Sequence, residues 1–117
     1  MKSLSIRQPW AWLIAAGHKN IENRGWRTDF VGRIYIHAAK LYDNSYRADL
    51  YHIALPSVMT FGAIIGEVDI VDCVTRSNSK WFIGPYGFVL SNPVLYIKPI
   101  PCKGRLGFFE PNLASPS

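Results

Sequence analysis

Two cysteines in 117 residues, Cys73 and Cys102, stand far apart and neither has a C-x-x-C partner. That scarcity argues against a disulfide framework and a structural zinc site, and leaves two reduced thiols as the expectation. His18, His37 and His52 lack paired spacing and no H-E-x-x-H pattern occurs, so no metal is expected. No glycine-rich loop has P-loop or dinucleotide spacing, which argues against ATP- or NAD-dependent chemistry and against any cofactor. Apolar runs of roughly 20 residues, the length that spans a bilayer, are absent. The N-terminal apolar segment is short, interrupted by Trp10 and Trp12, and lacks an A-x-A cleavage site, so a cytoplasmic chain is expected rather than a secreted or membrane-bound one.

What is present is apolar and aromatic. A hydrophobic content of 49% with only 18% charged residues excludes disorder and low-complexity arms. The length suits one domain with a sizeable core, expected over 1–111, with 112–117 as a frayed tail. A formal charge of +5 favours anionic partners, nucleic acid or a phosphorylated metabolite. Nothing in the pattern speaks to oligomeric state.

Leu4-Ser5-Ile6-Arg7 alternates as a short strand, and Pro9 suits the start of a helix in which Trp10, Leu13 and Ile14 share a face and Gly17 is the stop. If 21–26 is extended, Glu22, Arg24 and Trp26 lie on one side and Ile21 and Asn23 on the other. Arg33 to His37 reads as a strand. Tyr42, Tyr46, Leu50 and Ile53 suggest a helix over 41–55 stopped by Pro56. Ala63 to Val74 reads as one long strand in which Gly66 marks a bulge or a close backbone approach. After a polar loop over 76–80, three short strands are expected at 86–90, 94–97 and 106–109, separated by Pro and Gly. That rhythm belongs to a small barrel.

The segment Gly17-His18-Lys19-Asn20-Ile21-Glu22-Asn23-Arg24 is the least generic part of the chain. Its Lys, Glu and Arg are costly to desolvate unless paired or used. Gly17-x-Lys19-x-x-Glu22-x-Arg24 matches the G-x-K-x-x-E-x-R signature of the ASCH domain, and 5–11, 32–38, 65–68 and 81–88 resemble further blocks of small ASCH proteins. The resemblance implies an α+β, PUA-like mixed β-barrel of five or six strands, closed or nearly closed, with flanking helices. It also implies RNA or nucleotide binding in a cleft lined by the signature. Some bacterial members remove the acetyl group from N4-acetylcytidine, and ribonuclease activity has been proposed for others. Lys19 corresponds to the catalytic lysine of that amidohydrolase branch, but Glu22 stands where the branch has threonine, and an adjacent carboxylate favours the charged lysine.

Two functions are therefore expected in order: a binder of single-stranded RNA or a nucleoside or nucleotide, and a small metal-independent hydrolase using Lys19 and Glu22. The aromatic candidates for base stacking are Trp10, Trp26 and Trp81, with Trp26 favoured by its alternation with Glu22 and Arg24. Gln8 and Asn23 could read a base edge, although Gln8 could equally cap the helix begun at Pro9. His37 either faces the cleft or is a hydrogen-bonded structural residue, and Ser79 sits in a loop that either covers a ligand or is a solvated turn.

Overall fold

The computed structural model describes residues 1–113 and shows one six-stranded mixed sheet with two short helices. In chain order these are β1 (Ser3–Gln8), α1 (Trp10–Ala15), β2 (Ile21–Arg24), β3 (Gly32–Tyr42), α2 (Ala48–Tyr51), β4 (Ala63–Val74), β5 (Tyr86–Pro101) and β6 (Phe108–Phe109). The strand order is β2-β5-β4-β3-β1-β6, with β1 parallel to β3 and every other neighbour antiparallel. This is the α+β, PUA-like architecture that the resemblance implies, with one qualification. The sheet is not closed: no backbone ladder joins β2 to β1 or β6 among the described residues. Instead, the Arg24 guanidinium on β2 donates to the Ser5 carbonyl on β1 at 2.8 Å, so a side chain bridges the seam where a barrel would seal.

The core follows the alternation of the long strands. Ile34 and Ile36 of β3, Val68 and Ile70 of β4, Phe88 of β5, and Leu4 and Ile6 of β1 bury one face, and Ala11, Ile14 and Ala15 of α1 cover it. On β4 the other face carries Glu67 and Asp69, both paired with Arg33. Gly66 is both a bulge and a close approach: the β4–β5 register shifts between Ile64 and Gly66, and a Cβ at Gly66 would lie 2.1 Å from the Val94 carbonyl oxygen and 3.2 Å from the Ala15 methyl.

Three local expectations differ from the structure. The helix over 41–55 is a single turn, Ala48–Tyr51, because β3 runs on through Tyr42 and the chain then turns at Asp43, whose carboxylate accepts the Ser45 amide. Asp side chains that bind a nearby amide compete with helix in this way. The near-helical spacing of Tyr46 and Ile53 instead reflects packing: with Tyr51 and Leu55 they cover a second cluster around Leu13, Ile21 and Trp81, while Leu50 is exposed. Second, the strands expected at 86–90 and 94–97 are parts of one strand, β5, since register shifts opposite Ser91–Val94 and Leu95–Ile100 absorb Pro93 and Pro99 without ending the pairing. Third, β2 stops at Arg24, so Trp26 lies on a bend beyond it. Of the expected tail, 114–117 falls outside the described residues.

Candidate functional site

The signature begins where α1 ends. Gly17 adopts φ +89, a backbone that favours glycine, and the Leu13 carbonyl accepts the amides of both His18 and Lys19, at 2.8 and 2.9 Å. This turn directs the Lys19 side chain inward, where it is only 5% exposed. Its ammonium donates to the Ile21 carbonyl and lies 3.5 Å from Glu22 Oε1, and it sits 5.7 Å from the centre of the Trp10 ring. Glu22 Oε2 accepts from Arg24 Nε at 2.9 Å, as expected for residues two apart on one strand face. One buried carboxylate therefore serves two cations. Burial lowers the Lys19 pKa from its ordinary value of 10.5, Glu22 opposes that, and Arg24 adds a smaller lowering.

Around this cluster lies a cleft of about 1010 Å³ that follows the unsealed seam between β1 and β2. Trp10, Lys19, Glu22, Asn23, Arg24, Trp26, His37 and Trp81 all line it. Their availability differs. Trp26 is 38% exposed and meets Phe88 and Phe108 edge-on, at 5.3 and 5.5 Å between centroids. Trp10 anchors its indole N–H on Asp43 Oδ2 at 3.0 Å and is met edge-on by Tyr46. Trp81 is buried, stacked on Tyr51 at 4.1 Å and approached by the Lys80 ammonium at 5.5 Å from its ring centre. Trp26 thus offers the most accessible ring of the three.

The amide of Asn23 is engaged inside the protein: it donates to the Trp81 carbonyl and accepts from the amides of Ile83 and Gly84. Gln8 is buried outside the cleft, donating to the Thr60 carbonyl at 2.9 Å and accepting the Trp12 amide at 2.9 Å, so it ties β1 to the helix that follows. Ser79 also lies away from the cleft, donating to Asn20 Oδ1 and accepting the Trp81 amide. His37 is buried with both ring nitrogens engaged. Nε2–H donates to the Cys102 carbonyl at 2.8 Å, which leaves Nδ1 to face the Ser5 hydroxyl at 2.9 Å.

Sequence reasoning missed the far rim. Arg7, Lys40, Asp43, Lys103 and Arg105 line the same cleft, brought there by β1, the end of β3 and the β5–β6 connection. Six Lys and Arg side chains and two carboxylates line it. The only early signal was the overall positive charge, which does not say where the charge collects. No group of His, Cys, Asp and Glu that could hold a metal ion occurs among the described residues, and none of their helices is long and apolar enough to cross a membrane.

The ASCH domain family model matches residues 4–88, which takes in all but the first residue of β1, the whole signature and the start of β5. The chain belongs to the ASCH domain family. Activating signal cointegrator 1 from Homo sapiens is 29% identical over 120 residues, covering 87% of this chain and 21% of that protein. The Mus musculus protein of the same name is 26% identical with the same coverage. This ASCH chain spans about a fifth of the length of these relatives.

Proposed function

We propose that this ASCH domain binds single-stranded RNA, or a nucleotide derived from it, in the cleft along the β1–β2 seam. The observation that carries the reading is the excess of cations over carboxylates in one cleft, with the buried Lys19–Glu22–Arg24 cluster on one wall and the half-exposed Trp26 beside it. Cations hold phosphates, and an accessible indole face stacks on any base at about 1 to 3 kcal/mol. A cleft open along its length suits a splayed strand, whose bases expose faces and edges, better than a duplex.

A second reading is a hydrolase acting on an acylated nucleoside or on RNA. Burial pushes the Lys19 ammonium toward the neutral amine, the form that can take a proton or activate water. Glu22 works against that reading: it accepts from both cations and favours the charged lysine.

One screen separates the two. The purified protein is heated with nucleosides, including N4-acetylcytidine, and with short RNAs, and the same samples are analysed for products. Binding is expected to raise the melting temperature with RNA and leave it chemically intact. Deacetylated cytidine or cleaved RNA would favour the hydrolase, and no stabilisation by any ligand would reject the cleft as a nucleic-acid site.

A further inference from the structure

Six of the thirteen Lys and Arg side chains gather in this one cleft. Of the others, Arg27, Arg33 and Arg47 are ion-paired, with Asp29, with Glu67 and Asp69, and with Asp49, whereas Lys2, Arg76, Lys80 and Lys98 make no ion pair among the described residues and do not line the cleft. On the cleft's far rim, Arg7, Lys40, Lys103 and Arg105 are exposed, and none makes an ion pair or side-chain hydrogen bond among the described residues. Both carboxylates of the cleft are already engaged. Glu22 accepts from Lys19 and Arg24, and Asp43 accepts from the Trp10 indole and the Ser45 amide. Arg7 acts on Asp43 through space without forming an ion pair, and Lys40, Lys103 and Arg105 have no carboxylate partner among the described residues.

The rim is also built. Cys102 is hydrogen-bonded through its carbonyl to the buried His37 ring, and Gly104 sits so close that a Cβ there would lie 2.7 Å from His37 Cε1 and 2.8 Å from Ser5 Oγ. The loop is thus seated on β1 and β3 at positions 102 and 104, which leaves Lys103 and Arg105 as its exposed charged side chains, beside an exposed Leu106. This loop lies beyond residues 4–88, the stretch matched by the family model.

We propose that Arg7, Lys40, Lys103 and Arg105 form a phosphate track, so that the ligand is a phosphodiester-linked single strand spanning the cleft and not a free nucleoside. This rests on the cleft being a nucleic-acid site. The Lys19–Glu22–Arg24 wall and Trp26 hold one nucleotide, while the far rim neutralises the phosphates that flank it. Exposed, unpaired cations act here by releasing counterions from the strand, so their contribution is read in the salt dependence of binding.

The test measures binding of fluorescein-labelled RNA hexamers, one of each homopolymer, and of the four free ribonucleosides, from low to moderate salt. Wild-type protein is expected to bind at least one hexamer more tightly than any nucleoside. Lys103→Ala combined with Arg105→Ala is expected to weaken that hexamer at least tenfold at low salt and to reduce the log–log salt slope by about 1.4, or about 0.7 for each phosphate no longer neutralised. Nucleoside binding and melting temperature should be unchanged, and the charge-conserving Lys103→Arg should bind as wild type. A double variant that binds the hexamer with wild-type affinity and slope overturns the track while leaving the cleft reading standing. Nucleosides that bind as tightly as hexamers also overturn it. A wild-type protein that binds neither overturns both.

Discussion

Replacing Glu22 by Gln keeps the side-chain shape but removes the one carboxylate that serves two cations. At an effective dielectric constant of about 20, unit charges at the 3.5 Å Lys19–Glu22 separation attract by about 5 kcal/mol. Part of that loss is offset, because a neutral amide no longer carries the cost of burying a charge, and its oxygen can still accept from Arg24. A net destabilisation of about 3 kcal/mol is expected, the lower end for breaking a buried pair. Lys19→Met offers the contrast. It also loses the Lys19–Glu22 attraction and the donor to the Ile21 carbonyl, but it relieves the cost of burying the ammonium and leaves Glu22 paired with Arg24 at 2.9 Å, so a smaller net loss of about 1 kcal/mol is expected. Urea unfolding at neutral pH, followed by tryptophan fluorescence, gives both values. A Lys19→Met loss equal to or larger than that of Glu22→Gln would refute the reasoning that Glu22 is the electrostatic centre of the cluster.

The pH dependence has a definite sign. The folded-state Lys19 pKa lies below 10.5, so between that lowered value and 10.5 the unfolded chain binds more protons and stability rises with pH. Relative to Lys19→Met, wild-type protein should therefore gain stability as the pH rises through that window, as measured by urea unfolding at several alkaline pH values; a constant difference would contradict the burial of a charged lysine. Gly66→Ala should cost about 3 kcal/mol or more, since its Cβ would meet the Val94 carbonyl oxygen at 2.1 Å between two paired strands, and a thermal melt close to wild type would contradict that geometry. Gly104→Val should weaken RNA binding by displacing the loop that carries Lys103 and Arg105, and its effect should appear in the salt slope of a binding titration.

The elements legible in the sequence are those whose pattern is local. The alternation of Leu4 to Arg7 and of Ala63 to Val74, and the glycine stop at Gly17, follow from periodicity and backbone preference, and the structure places β1, β4 and the end of α1 there. The pairing of Glu22 with Arg24 follows from strand alternation alone. The segment from Tyr42 to Leu55 misled because aromatic residues packing against Trp81 and Leu13 happen to recur at helix-like intervals, while the turn at Asp43 depends on one side-chain hydrogen bond. Pro93 and Pro99 look like strand breaks because the bulges that accommodate them are set by β4, a partner remote in sequence. The far rim of the cleft was hidden for the same reason: Arg7, Lys40, Lys103 and Arg105 come together through the pairing of β1 with β3 and the seating of the 102–105 loop on both, contacts remote in sequence.

The four tryptophans provide the most direct measurement of where nucleic acid binds. Trp10, Trp26 and Trp81 line the cleft, whereas Trp12 lies outside it beside His18. In two-dimensional ¹H–¹⁵N NMR spectra recorded during titration with a single-stranded RNA hexamer, the Trp26 indole N–H resonance should move most, Trp10 and Trp81 should follow, and Trp12 should stay in place. Saturable shifts confined to Trp12, or four unmoved resonances at RNA concentrations that saturate binding, would place the RNA elsewhere and contradict the assignment of the cleft.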